Sequence, residues 1–355
     1  MKKITYIEID THAEIAQSFL DIMKNSEAFS VDYYFSEKIK NQVVHEDESI
    51  FLSDRSMILE QLMVKKYDLI IVGTVHRYFT TFQAIAEKYN TGFIVHNMNF
   101  TTISIADSIK NIFKEDVIYR LKLWAKEGLT EVSKTYLKAK NLFILDEELA
   151  SDLYRFLPVF YTKNNVFAEN RVLTIVIPGG VSQKRRDYYS VFNKIKELEK
   201  SIKEGKTKIK LLEFIFLGKA SENELTELIN LERSLEYISI QYFSERVSAE
   251  DFDRWMEKAD VLWCPIQQET TFFSQKEVYG KTKMTGNLGD AIKYGKPAVF
   301  PANYPSKLDF IIPEQKDILE QFQTLKQTHF DFQTSYNRKK VQQELENVLN
   351  QLIST

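Results

Sequence analysis

Cysteine is almost absent from this chain, since Cys264 is the single cysteine among 355 residues. One thiol excludes an internal disulfide and any zinc site built from several cysteines, and it fits a reducing compartment. Apolar runs are also short, and none approaches the ~18 residues of a membrane-spanning helix. Near the amino terminus, Glu8 and Asp10 interrupt the apolar residues before a signal-peptide core is reached. We therefore expect a cytoplasmic protein without a secretory signal.

Positive charge is not in excess either. The formal net charge is −3, whereas nucleic-acid-binding proteins usually carry a basic surface, so we expect no nucleic-acid partner. No strand is followed by G-x-G-x-x-G, which argues against a dinucleotide-binding dehydrogenase. With 44% hydrophobic and 27% charged residues, the composition is that of a soluble globular protein. The length is sufficient for two α/β domains.

Short apolar strands alternate with helical patterns along the chain, which predicts the α/β class with parallel sheets. Residues 147–156 are among the predicted helices. Pro158 is the first proline, and it opens an irregular stretch that continues to Asn170. We therefore place a domain boundary there, with one domain at 1–165 and a second at 166–335.

Glycine is scarce, yet four of the 11 glycines fall in residues 277–297, EVYGKTKMTGNLGDAIKYGKP. Glycine lets a backbone pass close to a ligand, and the lysines supply positive charge for a phosphate. From Asn287 the pattern becomes helical and ends at Gly295. A glycine-rich loop that leads into a helix favours an anion, so we interpret the stretch as a nucleotide-sugar site. Alternatively, Asn287 is a plain N-cap followed by Asp290 in the first turn, which requires no ligand.

The residues of this stretch also carry a family resemblance. Glu277-Val278-Tyr279-Gly280, followed by the run from Asp290 to Pro297 (DAIKYGKP), resembles the E-x-F-G … E-A-M-x-x-G-x-P signature of retaining GT-B glycosyltransferases of the family-four type. The resemblance implies a GT-B fold, in which two Rossmann-like parallel-sheet domains face each other across a cleft. It also implies a carboxy-terminal helix, here 336–355, that crosses back to the first domain.

The resemblance assigns a role to each acid of the signature. Glu277 would face the hydroxyls of the donor sugar, and Asp290 would hold the ribose. Two departures from the signature are present: twelve residues separate the acids instead of seven, and the second acid is Asp. The longer spacing leaves the roles of Lys281, Thr282 and Lys283 open, with extra phosphate or sugar contacts as one reading.

A second glycine-containing turn follows the strand predicted at 172–177. In the family this turn and a following Arg or Lys hold the diphosphate, which corresponds here to Gly179, Gly180 and one of Lys184, Arg185 or Arg186, with the spacing favouring Arg185. Arginine suits a phosphate that is held by two hydrogen bonds. A solvated basic turn is the structural alternative. The full predicted donor site comprises Gly179, Gly180, Arg185, Arg186, Lys219, Val247, Tyr279, Gly280, Lys281, Thr282, Lys283, Asn287 and Asp290.

Histidines follow several predicted strands of the first domain. His12 comes after the first strand, His76 and Arg77 after a later one, and His96 and Asn97 after the next. Because parallel strands end at one edge of a sheet, we expect the residues of the two later strands to converge; the alternative is that they only satisfy loop backbone groups. The family resemblance places His96 against the donor sugar as a catalytic residue with Glu277. His12, His76, Arg77 and Asn97 are predicted on the acceptor side.

The region 104–126 is predicted to be a long helix interrupted near Glu115, and a basic run begins within it. The run comprises Lys122, Trp124, Lys126, Lys134, Lys138 and Lys140. Such a run is usually a solvated face. It is also suited to the surface of an anionic membrane that holds a lipid-linked acceptor.

The residues and the resemblance together predict a glycosyltransferase that moves a sugar from a nucleotide-diphosphate sugar to a glycan or lipid-linked acceptor. A hexosyl group, a UDP donor, retention of configuration and a place in bacterial surface polysaccharide synthesis are expected from the family. The resemblance implies neither a cofactor nor an essential metal ion. Two alternatives stay open: a sugar-nucleotide epimerase of the same fold, and a catalytically silent GT-B module that supports a partner.

Overall fold

The computed structural model describes residues 1–44, 49–110, 117–163, 171–206 and 211–354. The chain divides into two compact units, each assembled from more than one segment. Unit 1 consists of residues 1–161, 271–284 and 337–355, and unit 2 consists of residues 162–270 and 285–336.

Unit 1 is built on a seven-stranded sheet in which every neighbouring pair is parallel. Its strands are β1 (Lys2–Glu8), β2 (Phe29–Phe35), β3 (Ile50–Leu52), β4 (Leu69–Val72), β5 (Thr91–Ile94), β6 (Asn141–Ile144) and β7 (Tyr154–Phe156). The strand order is β3-β2-β1-β4-β5-β6-β7. The order reverses between β1 and β4, which is where sheets of this type bind ligands.

Helices connect the parallel strands of unit 1, as crossover connections require. They are α1 (Ala13–Met23), α2 (Glu37–Lys40), α3 (Ile58–Val64), α4 (Phe79–Lys88), α5 (Ile105–Lys110), α6 (Val117–Glu127) and α7 (Val132–Lys138), with short 3₁₀ helices at Asn99–Thr102, Leu129–Glu131 and Glu147–Leu149. The predicted long helix at 104–126 is thus α5 and α6, and the interruption predicted near Glu115 lies outside the described residues. The helix predicted at 147–156 is wrong, because Tyr154 and Phe156 pair with β6 as a strand.

Unit 2 contains a six-stranded sheet of order β10-β9-β8-β11-β14-β15 and a further set of helices. The strands of this sheet are β8 (Leu173–Pro178), β9 (Leu212–Lys219), β10 (Ile238–Phe243), β11 (Val261–Trp263), β14 (Ala298–Phe300) and β15 (Ile311–Pro313). Between β11 and β14, a separate hairpin is formed by β12 (Glu269–Phe272), which spans the boundary at 270/271, and β13 (Gln275–Val278), which lies in the segment 271–284 of unit 1. The helices are α8 (Tyr188–Lys203), α9 (Glu222–Ser234), α10 (Ala249–Lys258), α11 (Gly286–Tyr294), α12 (Ile318–Gln327) and α13 (Phe332–Tyr336).

The segment 271–284 packs within unit 1, although the sequence placed it in the second domain. Aromatic contacts and hydrogen bonds explain this. The Phe273 ring stacks on Phe100 with centroids 5.2 Å apart, and the backbone N–H of Met98 donates to the carbonyl of Thr282 over 2.9 Å. The predicted division at 165/166 therefore differs from the observed one chiefly in this inserted segment.

The last helix, α14 (Arg338–Ser354), also packs within unit 1. Leu345 and Leu349 are fully buried in the core that surrounds α1 and β1. In the described part of the chain, no helix has both the length and the apolar character needed to cross a membrane.

We predict that Leu349→Ala lowers the free energy of unfolding of unit 1 by about 2–5 kcal/mol, because it removes fully buried methyl groups and leaves a cavity. Urea unfolding followed by circular dichroism measures the change. The control is Gln343→Ala on the exposed side of the same helix. Equal stability of the two variants would contradict the packing of α14 in unit 1.

Candidate functional site

Three histidines of unit 1 lie together at the carboxyl edge of its sheet. His12, His76 and His96 follow β1, β4 and β5, which are adjacent strands. The rings of His12 and His96 stack with centroids 4.0 Å apart, and the His76 ring lies 5.5 Å from that of His96. The convergence expected for His76 and His96 is present, and His12 joins them because β1 is the neighbour of β4.

Asn97 links this histidine cluster to the segment 271–284. The ammonium group of Lys283 donates to Oδ1 of Asn97, and the amide Nδ2 of Asn97 donates to Nε2 of His76 over 3.1 Å. A lysine has only donors, so it fixes which way the asparagine amide faces. Nε2 of His76 must therefore be the acceptor, which leaves the proton of a neutral His76 on Nδ1.

The three histidines differ in how their surroundings affect their charge. Burial and the nearby His12 lower the pKa of both His76 and His96, so these rings are held neutral. His96 also places its Nε2 2.8 Å from the carbonyl oxygen of Gly73. For His12, burial opposes the charge, but the carboxylates of Glu14 and Glu8 outweigh it and raise the pKa. The cluster thus combines two neutral rings with one that is easily protonated.

Arg77 does not point its charge into the histidine cluster. Its guanidinium donates two hydrogen bonds to the buried carboxylate of Glu127, of 3.0 and 2.7 Å, and stacks on the ring of Tyr78. Tyr78 has φ +56°, a left-handed conformation that is uncommon for a bulky residue. The loop after β4 is therefore held against α6, and Arg77 is engaged in that contact.

Glu8 is a residue of this site that the sequence analysis did not single out. It ends β1 and is fully buried; one carboxylate oxygen accepts from the hydroxyl of Thr74 over 2.6 Å, and the other accepts from the N–H of Asp10 over 3.0 Å. Burial raises its pKa. The available signal was an acid inside the otherwise apolar run ITYIEI. Glu8 shapes the turn that carries His12.

Glu277 lies in unit 1 and is fully buried. Its Oε1 accepts a hydrogen bond from the backbone N–H of Phe100 over 3.0 Å. Burial raises its pKa, although the Thr282 hydroxyl and the N–H groups of Phe100 and Asn99 favour the charged form. The structure thus gives Glu277 a structural contact with the turn after β5. Its contact with a donor sugar stays a prediction.

The rest of the predicted lysine loop forms a tight turn beside Glu277. The N–H of Gly280, which has φ +75°, donates to the carbonyl of Lys283, and the hydroxyl oxygen of Thr282 accepts from the N–H of Val278. Lys281 is exposed. Tyr279 and Lys283 bridge the base of this turn. All of them belong to unit 1, together with the histidines.

In unit 2, the turn after β8 lies against the end of β9. Gly179 of this turn has φ +103°. A Cβ added at Gly218, near the end of β9, would lie 2.4 Å from the carbonyl oxygen of Gly179, so the turn and the strand touch backbone to backbone. Of the basic residues that follow, Arg186 and not Arg185 covers this turn: a Cβ at Gly179 would lie 2.3 Å from Nη2 of Arg186, whereas Arg185 is exposed.

A second asparagine orders the side chains around this turn. Asn287 accepts from Nη2 of Arg186 over 3.1 Å and donates to the carbonyl of Pro178 and to Asp290 over 3.2 and 3.3 Å. The N-cap of α11 is Thr285, whose side chain accepts from the N–H of Asn287. The reading of Asn287 as a plain N-cap is therefore wrong. The Nε atom of Arg186 is buried without a hydrogen-bond partner among the described residues.

Two further residues predicted for the donor site lie on other loops of unit 2. Lys219 is exposed and pairs with Glu245 over 3.6 Å. Val247 is half-buried, next to Ser248, which caps α10. No hydrogen bond or ion pair joins either side chain to Arg186 or Asn287 in the described part of the chain.

Cys264 and Tyr188 complete the surroundings of Arg186. Cys264 is fully buried, and burial raises the pKa of its thiol, which therefore stays protonated and inert. The hydroxyl of Tyr188 donates to the carbonyl of Gly179 over 3.4 Å. Tyr188 is a contact that the sequence analysis missed, and a tyrosine at a helix start gives no signal of it.

Acidic side chains offer no assembled metal site in the residues described. Asp251 and Asp253 form an Asp-x-Asp pair on α10, but Asp251 binds Arg254 over 2.6 Å and Asp253 binds Lys163 over 2.9 Å. No group of three or more His, Cys, Asp or Glu side chains is arranged as metal ligands within the described ranges. The expectation that activity requires no metal ion stays a prediction.

Known structures resemble this chain over its whole length. UDP-GlcNAc 2-epimerase from Neisseria meningitidis, bound to UDP-GlcNAc, aligns with 99% of this chain and 100% of its own at 12% identity and a TM-score of 0.55. The catalytic domain of starch synthase IV from Arabidopsis thaliana, bound to ADP and acarbose, aligns with 100% of this chain and 100% of its own at 9% identity and a TM-score of 0.52. The chain has the GT-B fold. A third similar structure is the N-terminal domain of trehalose-6-phosphate phosphatase from Candida albicans. It aligns with 100% of this chain and 97% of its own at 10% identity and a TM-score of 0.55.

No protein-family model and no curated protein matches the sequence. At these identities the structural likeness establishes the fold alone. The fold-class prediction of two Rossmann-like parallel-sheet domains is confirmed.

We predict that His76→Gln reduces the loss of stability on acidification. The pKa of His76 is low in the folded chain and ~6.5 in the unfolded chain. Below pH ~6.5 the unfolded chain therefore binds more protons, and stability falls as pH falls. The fall in melting temperature between about pH 7.5 and 5.5 should be smaller for the variant than for the wild type.

The control for this prediction is His329→Gln, which removes an exposed histidine of unit 2. The same pH dependence in both variants would contradict it. The ¹⁵N shifts of the His76 ring provide a second check, since they report whether the proton is on Nδ1.

We also predict that Gly218→Ala destabilises unit 2 by about 1–3 kcal/mol, because the new methyl group meets backbone atoms that cannot rotate away. Chemical denaturation measures the change. Gly286→Ala is the matched control, since a Cβ there meets no atom within 4 Å. A stability loss no greater than that of the control would mean that the turn after β8 does not touch the end of β9 as described.

Proposed function

We propose that this chain is a glycosyltransferase that moves a sugar from a nucleotide-diphosphate sugar to a carbohydrate or lipid-linked acceptor. Unit 2 binds the donor, and the histidine cluster of unit 1 serves the sugar or the acceptor. UDP is the proposed nucleotide, and the reaction proceeds with retention, without a metal ion, in the cytoplasm. Synthesis of a bacterial surface polysaccharide is the proposed setting.

The observation that carries the proposal is the arrangement around Gly179. A glycine turn at the carboxyl edge of β8 is covered by an arginine, and the buried Nε–H donor of that arginine has no hydrogen-bond partner among the residues that the structure describes. An unpaired buried donor is costly, and a phosphate oxygen would satisfy it with a charge-assisted hydrogen bond. The N-terminal turn of α11 begins at the same place, where its dipole favours an anion.

The proposed chemistry needs positive charge at the leaving group. The bond between the anomeric carbon and the phosphate oxygen breaks, and negative charge develops on the departing diphosphate. Arg186 and the α11 N-terminus would stabilise this charge as preorganised groups. The acceptor oxygen forms the new bond to the anomeric carbon, and its proton passes to the departing phosphate. Asp290, which accepts a hydrogen bond from Asn287, is the proposed ribose contact.

The second candidate function is a sugar-nucleotide epimerase. It is favoured by the three clustered histidines of unit 1, which are groups of the kind that exchange protons with a substrate. The similarity to the Neisseria meningitidis epimerase in fold is as high as that to any transferase described above.

One experiment separates the two functions. The protein is incubated with UDP-sugars, first without an acceptor and then with carbohydrate and lipid-linked acceptors, and the products are analysed by NMR. A transferase produces a new glycosidic bond only when an acceptor is present. An epimerase changes the donor, or releases UDP, without any acceptor. Absence of both products with every donor tested would favour the catalytically silent module.

We predict that Arg186→Ala weakens the binding of UDP at least about tenfold, because it removes a charged donor to the diphosphate worth ~1.5–3 kcal/mol. Arg185→Ala is the matched control, since Arg185 is adjacent, carries the same charge and is exposed. Isothermal titration calorimetry measures both affinities. An equal loss in both variants would indicate a general effect of positive charge and would contradict the assigned role of Arg186.

A further inference from the structure

Helix α6 has an inner face that holds it to unit 1. Arg120, Leu123 and Glu127 are buried and lie on one side of the helix at spacings of three and four. Arg120 donates to the hydroxyl of Ser274 over 2.9 Å, and Glu127 accepts two hydrogen bonds from Arg77. These contacts fix which side of α6 is turned outward.

The outward side of α6 is unusually apolar. Ile118 is 87% exposed, and Trp124 is 48% exposed. Val117, Tyr119 and Leu121 of α6 are exposed as well, and so are Ile105 and Ile109 of α5. Single exposed apolar residues are common. So many of them on two short helices indicate a surface that binds another molecule or a membrane.

The charged residues of this surface indicate what it binds. Lys122 and Lys126 are exposed on α6 and make no ion pair with any described residue. Glu127 is the only acid of α6, and it is buried against Arg77. By contrast, Lys134 and Lys138 of the basic run predicted from the sequence pair with Glu131 and Glu87. Apolar side chains, a tryptophan and unpaired lysines on one face fit the boundary of an anionic lipid bilayer.

We propose that the outer face of α6, together with α5, docks on an anionic lipid bilayer. The apolar side chains enter the boundary between headgroups and acyl chains, and Lys122 and Lys126 contact the anionic headgroups. The contacts of the inner face then connect the docked helix to the loop that carries His76 and Arg77. The proposal does not depend on the sugar-transfer chemistry, and it supplies a reason for a lipid-linked acceptor.

Vesicle sedimentation tests the proposal with the full chain and no donor or acceptor. The probes are vesicles of phosphatidylcholine alone and of phosphatidylcholine mixed with phosphatidylglycerol. We expect the wild type to bind the mixed vesicles more tightly, and the binding to weaken as salt rises from about 0.1 to 0.5 M, since salt screens surface charges. Ile118→Asp combined with Trp124→Asp should abolish binding.

Charge variants test the electrostatic part. Lys122→Glu combined with Lys126→Glu should weaken binding to the mixed vesicles at least about tenfold, because each cation near an anionic surface contributes ~1 kcal/mol. The control for charge is Lys24→Glu combined with Lys196→Glu, two exposed lysines elsewhere. The control for replacing an exposed apolar side chain by aspartate is Val64→Asp on α3, since Val64 is 83% exposed. Neither control should change vesicle binding.

Three outcomes would overturn the proposal. The first is no binding of the wild type to mixed vesicles, and the second is equal binding by the wild type and the α6 variants. The third is self-association of the wild type, seen by analytical ultracentrifugation and lost in the Ile118→Asp variant, which would mean that a second copy covers this face. Because UDP binding by the same variants is measured separately, failure of the docking proposal is distinguishable from failure of the proposed function.

Discussion

The hydrogen bond between the N–H of Phe100 and the buried carboxylate of Glu277 is one of the contacts that bring the segment 271–284 to the residues around the histidine cluster of unit 1. It joins residues 177 positions apart and attaches the segment 271–284 to the turn after β5. Burying a carboxylate is costly unless hydrogen bonds compensate it. The contact is therefore specific to this arrangement of the chain. Together with the hydrogen bond from the N–H of Met98 to Thr282 and the stacking of Phe273 on Phe100, it holds the segment whose Lys283 orients the Asn97 amide.

Each unit contains an asparagine whose side-chain amide is oriented by a positively charged side chain. Lys283 orients Asn97 toward His76 in unit 1, and Arg186 orients Asn287 toward Asp290 in unit 2. An asparagine side chain offers both a donor and an acceptor, so a cation on the acceptor side leaves the donor for the next group. Each asparagine thus aligns one ionisable side chain at the carboxyl edge of a parallel sheet. Preorganisation of this kind lets a polar group act without first reorienting.

The sequence predicted the fold because the alternation of strands and helices is a local pattern. The convergence of His76 and His96 was also predictable, since the carboxyl ends of parallel strands share an edge. The strand order that adds His12 is set by tertiary packing, and the sequence contains no local signal of it. Residues 154–156 show the limit of periodicity: Tyr154 and Phe156 fit a strand as well as a helix, and pairing with β6 decides between them.

For the candidate site, the sequence did not predict which side chains are buried. The signature around Glu277 suggested a ligand-facing acid, yet the side chain is fully buried. The spacing favoured Arg185, whereas the arginine that lies against the Gly179 turn is Arg186, and the reason is geometric. The N–H groups of both residues donate to the carbonyl of Ser182, so the chain turns tightly there and a shift of one residue changes the direction of the side chain. Spacing alone does not resolve such a turn.

The ion pair between Arg77 and Glu127 connects helix α6 to the loop that follows β4 and carries His76. Removing one partner would leave the other charged and buried, a loss of about 3–5 kcal/mol for such pairs. The pair therefore keeps α6 in one rotational setting, with Arg120 and Leu123 inward and Ile118 outward. Since Arg77 directly follows His76, this pair joins α6 to the histidine loop, and the hydrogen bond from Arg120 to Ser274 joins the same helix to the segment that carries Lys283.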